Sequence, residues 1–247
     1  MPFALEVENL QVILSTGQAV LHIPALSIPK GARVAIIGAN GSGKSTLLRA
    51  LAGLIPAGFD RYQLNHQSFE SMTLLQRARF LSYIGQQQQP AEGTTAWEWC
   101  LLSRYPYATS ALENRQIIEQ ALLMSGALEF AERTLESLSG GERQRVYMAG
   151  AIAQETPVIF LDEVNAALDP KYREALNQLL AQLTDKTILS ITHDLNGLMQ
   201  YTHILALKGG ELVAFGERSS TLNRALLSHL FDYAFTALDH DGVTRYF

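Results

Sequence analysis

The segment that most limits what this chain can fold into is GANGSGKST, residues 38–46. It follows ARVAIIG, a continuous apolar run ending in glycine, which is the pattern of a buried parallel strand. It precedes STLLRALAGL, which reads as a helix. Strand, glycine loop and helix in that order, with the spacing G-x-x-x-x-G-K-[ST], predict a P-loop in the context that confirms one. Gly38, Gly41 and Gly43 let backbone N–H groups turn inward around phosphates, and Asn40, Ser42 and Thr46 complete the loop. Lys44 can reach the β- and γ-phosphates, and the Ser45 hydroxyl is placed to ligate Mg2+. The start of the helix adds its positive dipole end.

The neighbouring segments extend this into a sheet. ALEVENLQVIL and VLHIPALSIPKG are short, β-branched and partly alternating, with STGQ between them, and read as antiparallel strands. The buried-strand pattern returns in VIFLDE (158–163) and TILSITHD (187–194), with the helical YREALNQLLAQL between them. That alternation predicts a parallel sheet with crossover helices. THILALKGGELVAFG reads as a hairpin turning on GG, and TLNRALLSHLFDYAF as a helix that then breaks up. From about 87 to 155 strand signals are few, and helical stretches such as AWEWCLLSRY and ENRQIIEQALLMSGALEFAERT dominate. This is a candidate helical subdomain.

Bulk composition excludes several classes. A net charge of −5 disfavours a sequence-independent nucleic-acid binder, which is usually basic. One cysteine, Cys100, leaves no intrachain disulfide framework and suits a reducing cytosol. The start, MPFALEVENLQVIL, has no basic n-region, so a secretory signal is not expected. No run of about 18 apolar residues is present, so any membrane role is expected to go through a partner.

Two further strand ends point to phosphate chemistry. Asp162 and Glu163 come at the exit of an apolar strand, where open α/β sheets bind ligands. Strand alternation would send the two carboxylates to opposite sides, one toward a magnesium shell and one toward an attacking water. Asp162 is therefore assigned to metal and Glu163 to general base. His193, after the next strand, suits a γ-phosphate contact.

A second glycine-rich helix start is LSGGERQR, residues 138–145. It can be read as an anion cradle or as a plain capping box, with Ser139 as N-cap and Glu142 three residues on. Both can hold at once.

GANGSGKST, LSGGERQR, FLDE and ITHD, in this order and across nearly the whole chain, resemble the nucleotide-binding subunit of an ABC transporter. The resemblance implies an α/β fold: a P-loop NTPase (RecA-like) core with an N-terminal antiparallel β subdomain and an inserted helical subdomain. As one ABC ATPase domain over 1–247, the core would take 1–86 and 156–247 and the helical part 87–155. It implies ATP and Mg2+ as cofactors, and a head-to-tail pair with a second copy. Ser139, Gly140 and Gly141 would then bind the γ-phosphate of ATP held by the partner. Gln86, in SYIGQ, matches the glutamine that contacts Mg2+ and the water. Asp169, in AALDP, matches the loop that runs across the dimer interface. Val164 stands where the family usually has proline, and Leu14 lies near where it usually stacks adenine on an aromatic ring.

SRYPY at 103–107, and the tail TLNRALLSHLFDYAFTALDHDGVTRYF, resemble ATPases serving ferric siderophores, haem and vitamin B12. That branch implies two polytopic permease subunits, and indirectly a periplasmic or surface substrate-binding protein. The location implied is the cytoplasmic face of the inner membrane. Arg104 and Tyr105 are expected in the groove that receives a permease helix, while Trp97 and Trp99 suit core or groove equally. Two alternatives stand beside this reading. A non-transport ABC ATPase acting on DNA or ribosomes would be expected to carry a coiled coil, zinc modules or a second core. A small-molecule P-loop kinase would leave LSGGERQR without a task.

Overall fold

The structure, a computed structural model, describes residues 2–85, 88–164, 170–240 and 243–246, the side chains of 170, 171, 237–240 and 243–245 excepted. Gln86 and Asp169 lie outside the described residues. The chain divides into two compact units, Met1–Ser71 with Thr187–Phe247, and Met72–Lys186. These boundaries fall earlier and later than residues 86 and 155.

In chain order the first unit opens with strands β1 (Phe3–Ile13), β2 (Ala19–Pro29) and β3 (Arg33–Ile37), helix α1 (Lys44–Leu51), and strands β4 (Arg61–Leu64) and β5 (Gln67–Ser68). The second unit runs α2 (Leu74–Phe80), β6 (Leu81–Ile84), α3 (Ala96–Ser103), α4 (Ala111–Met124), α5 (Gly140–Ala153), β7 (Val158–Leu161) and α6 (Pro170–Gln182). The chain then returns to the first unit with β8 (Thr187–Ile191), β9 (His203–Lys208), β10 (Glu211–Glu217), α7 (Arg218–Thr221), α8 (Arg224–Phe231), β11 (Ala237–His240) and β12 (Val243–Tyr246).

The first unit is built on a mixed sheet. Its strands lie in the order β5-β4-β1-β2-β10-β9-β3-β8. β1 pairs antiparallel with β2 and β4, as the alternating sequences predict, and β9 pairs antiparallel with β10 across the GG turn. β3 lies parallel to both β8 and β9. Being central, it is covered on both faces: Val34, Ala35, Ile36 and Ile37 are all fully buried. Each buried branched side chain there contributes about 1.5–3 kcal/mol relative to exposure. β11 and β12 form a separate antiparallel hairpin.

The second unit has one parallel pair, β6 with β7, in the register Tyr83↔Phe160 and Ile84↔Leu161. Four of its helices start on side-chain caps. Thr73 with Gln76, Thr95 with Glu98, and Ser139 with Glu142 form capping boxes at α2, α3 and α5, and Ser110 caps α4. The long helical stretch expected after residue 112 stops at Ser125, because Gly126 takes a left-handed φ of 66°. α3 packs on α5. Trp99 lies 5.0 Å from the Tyr147 ring and so close to Gly150 that a Cβ there would sit 2.8 Å from the indole Nε1. Gly150 is therefore what lets the two helices approach.

Candidate functional site

Each unit carries candidate residues of its own. In the first, β3 delivers the chain into the loop 38–43. Gly38, Gly41 and Gly43 have φ of 152°, 76° and 98°, a region that side chains rarely adopt. A Cβ on Gly38 would collide with Leu207 O and reach Ser42 Oγ at 2.7 Å, whereas one on Gly41 would meet nothing within 4 Å. The loop's floor is the β9–β10 turn: Gly210 N donates to Ser42 O at 3.1 Å and Gly210 O accepts from His22 N at 2.8 Å.

Lys44 is 5% exposed, and its ammonium donates to Gly38 O and Ala39 O, both at 2.9 Å. The charge is thus folded back over the loop it serves. α1 begins on Gly43 with no side-chain cap. α3, α4, α5 and α8 all have one. Ser42 Oγ is buried with no hydrogen-bond partner among the described residues. Uncapped N–H groups, an unmatched hydroxyl and open space beside Gly41 fit a phosphate chain, whose oxygens supply acceptors. Asn40 is exposed, and Ser45 and Thr46 are half-buried. His193 lies two residues beyond β8 and is exposed.

In the second unit, β7 carries the chain to Asp162, which is fully buried. Asp162 N extends the β6–β7 ladder by donating to Ile84 O at 2.9 Å, and its Oδ2 accepts from the Tyr83 hydroxyl at 2.7 Å. Glu163 has a left-handed φ of 57°, and β7 ends at Leu161. Strand alternation therefore does not set the relation of the two carboxylates; a turn in a strained conformation does. Val164 is buried in its place after Glu163. One carboxylate in this setting is an ordinary protein share for Mg2+, which takes one or two carboxylates and fills its octahedron with water and phosphate oxygens.

The second cradle is constructed differently. Ser139 Oγ accepts from Glu142 N at 3.4 Å, and the Glu142 carboxylate accepts from Ser139 N at 2.8 Å. That backbone N–H, and then the Ser139 hydroxyl, hold the exposed Glu142 carboxyl below its usual range. Ser139 and Gly140 face solvent. A Cβ on Gly140 would meet nothing, but one on Gly141 would lie 3.1 Å from the Tyr172 ring. The first glycine keeps the helix end open, and the second admits α6.

Arg104 differs from the groove position expected of it. It is 3% exposed, donates to Asn114 Oδ1, Ala153 O and Glu155 Oε2, and lies over the Tyr107 ring. It ties the end of α3 to α4 and to the end of α5, because its Nε and Nη1 groups find acceptors at Asn114, Ala153 and Glu155. Tyr105, at 79% exposed, and Leu102, at 64%, do face outward. Trp97 and Trp99 are half-buried, with Trp99 packed inside the helical group. Leu14 is 46% exposed. Among the described residues, no helix is long and apolar enough to cross a membrane.

The ABC transporter family matches residues 21–166. The petrobactin import ATP-binding protein FpuD of Bacillus anthracis is 35% identical over 233 residues, covering 91% of this chain and 85% of that one. A metal-chelate type ABC transporter in an inward-facing conformation superposes with a TM-score of 0.81 at 27% identity, over 100% of this chain and 97% of that one. A dimeric ATP-binding cassette in a post-hydrolysis state, bound to ADP and Pi, gives a TM-score of 0.78 at 29% identity, over 86% and 98%.

Proposed function

The chain belongs to the ABC transporter family of ATP-binding proteins, and from that premise we propose that it is the ATP-hydrolysing subunit of a binding-protein-dependent importer for an iron chelate, siderophore or haem, or for vitamin B12. The observation that carries this reading is the pair of unlike helix starts in one chain. One is a complete, uncapped P-loop; the other is a self-capped glycine helix end open to the outside. A small-molecule kinase has use for the first alone.

In this reading Gly38 through Thr46 hold the triphosphate. Lys44, already aimed across the loop by two carbonyls, turns its charge to the phosphates. Ser45, Asp162 and Gln86 take Mg2+. Bound MgATP supplies the phosphoryl group and the metal's positive charge. Glu163, whose backbone lies in a turn rather than a strand, would accept the proton of the attacking water. His193 donates toward the γ-phosphate. Ser139, Gly140 and Gly141 offer hydroxyl and backbone N–H groups to the nucleotide of a second copy, and Asp169 lines that interface. Catalysis of this kind is largely positioning and charge stabilisation.

The remaining partners follow from the family. Two polytopic permease subunits would hold the chain at the cytoplasmic face of the inner membrane, and a substrate-binding protein would act indirectly. The outward-facing Leu102 and Tyr105 suit a permease helix. The test is co-purification of tagged Glu163→Gln from solubilised membranes of the source cells. A polytopic membrane protein at one-to-one stoichiometry, with its substrate-binding partner, is expected. Recovery only with ribosomal proteins or DNA would overturn the transport reading.

A further inference from the structure

His193 is exposed and stands two residues past the end of β8. A side chain that meets a phosphate from an unpinned loop would lose most of its value, because catalysis by positioning needs a fixed origin. The loop that carries His193 is pinned.

The register of β3 on β8 sets its starting point. Ile36 pairs with Ile191, so Gly38 and His193 lie equally far beyond the paired residues, within one compact unit. Thr192 N extends that ladder by donating to Ile36 O at 3.3 Å. The Thr192 side chain is buried, and its Oγ1 accepts from Asp194 N at 3.1 Å. That bond closes a turn across His193, the kind a threonine hydroxyl makes with the backbone two residues on. Asp194 then repeats the device: its Oδ1 accepts from Asn196 N and Gly197 N, both at 3.1 Å. Beyond them Leu198 and Tyr201 are buried in the same cluster as Ala35 and Ile37 of β3. Both ends of the span are therefore fixed to the strand that delivers the P-loop, and two side-chain turns in succession fix its middle.

We propose that Thr192 is the positioning residue for His193: its buried hydroxyl, by taking the Asp194 N–H, sets where the chain presents the imidazole beside the P-loop. The inference rests on the assignment of His193 to the γ-phosphate made above. A β-branched residue suits the post, since its stiff χ1 holds the oxygen in place. Valine would fill the same space and keep the branch, but it offers no acceptor.

Turnover and equilibrium ATP affinity of the full chain, measured side by side, test this. His193→Ala is the reference and should slow turnover about 10²–10³-fold, the usual loss of one donor at a developing charge. Thr192→Val should slow turnover about tenfold and leave ATP affinity unchanged, because displacing a group costs less than removing it. Thr192→Ser keeps the oxygen and should recover most of that loss. In the His193→Ala background Thr192→Val should do nothing further, as read with protein in excess over labelled ATP. Gly197→Ala, whose new Cβ would lie 2.9 Å from Asp194 Oδ2, disturbs the second turn and serves if Thr192→Val folds poorly. If Thr192→Val and Gly197→Ala turn over like wild type while His193→Ala is slow, the positioning role is wrong and the phosphate assignment stands. An equal loss from Thr192→Val in both backgrounds would also overturn the role, leaving Thr192 a structural residue only. If His193→Ala itself turns over like wild type, the phosphate assignment fails and takes this proposal with it.

Discussion

The two glycine-rich helix starts, at α1 and at α5, use similar residues to opposite ends. The α1 start has three glycines in left-handed backbone, a buried lysine folded over its own loop, and no side-chain cap. The α5 start has two glycines inside the helix, a closed capping box and an exposed serine. Without a ligand the first leaves hydrogen-bonding groups unmatched, as at Ser42 Oγ, whereas the second satisfies its own Ser139 and Glu142 N–H groups. The difference teaches that glycine richness alone does not define an anion site. What differs is how much of its hydrogen bonding the chain supplies for itself.

The largest expected effect separates holding nucleotide from cutting it. Glu163→Gln should slow turnover by about 10²–10⁴-fold while leaving ATP binding intact, as measured by steady-state phosphate release and equilibrium nucleotide titration. Turnover within threefold of wild type would remove Glu163 from the chemistry. Next, Lys44→Ala should weaken nucleotide binding by about 10–100-fold, the loss of charge-assisted contacts. Ser139→Arg should leave binding to the isolated chain unchanged and yet stop turnover. At an ATP concentration too low to load Lys44→Ala, mixing Lys44→Ala with Ser139→Arg should restore activity, because a mixed pair retains one site with an intact P-loop and an intact serine. If the mixture stays dead, the two cradles do not serve one nucleotide from opposite chains.

Smaller effects probe the cap. Ser139→Ala should cost about 1 kcal/mol in urea unfolding, the usual loss at an N-cap, and no comparable N-cap exists to be lost at α1. The smallest signal is a pH dependence. The Glu142 carboxyl is held below its usual range in the folded chain by Ser139, so its contribution is present above the unfolded-state value and fades as pH falls through the lowered folded value. Glu142→Gln can still accept from Ser139 N but carries no charge. Its urea midpoint should lie slightly below wild type at neutral pH, and the gap should close on acidification. A gap that persists at low pH would mean the charge is not what Glu142 adds.

The same contrast shows why some of the molecule was legible and some was not. The P-loop was readable because its glycine spacing, lysine and strand-to-helix setting are all local. The antiparallel strands β1 and β2 and the hairpin on Gly209 and Gly210 announced themselves by alternation and turn residues. β4 and β6 have only four residues each, too few to show a period, and α2 leaves Leu74 and Leu75 exposed. Arg104 was misplaced because its charge is visible in sequence but its partner is not: Glu155 lies 51 positions away. The relation of Asp162 to Glu163 was argued from a strand that stops one residue too early. Tyr83 in SYIGQ carries no local signal of its contact, since only the register of β6 on β7 brings it to Asp162.

The capping box at Ser139 has a consequence for wear. A helix end that borrows its hydrogen bonds from a visitor frays whenever the visitor leaves, and must be rebuilt at every visit. The α5 end keeps its own bonds in the lone chain, so a second subunit could press against it and withdraw without any refolding in between. In the proposed pair, such an end would add no refolding step of its own to opening and closing.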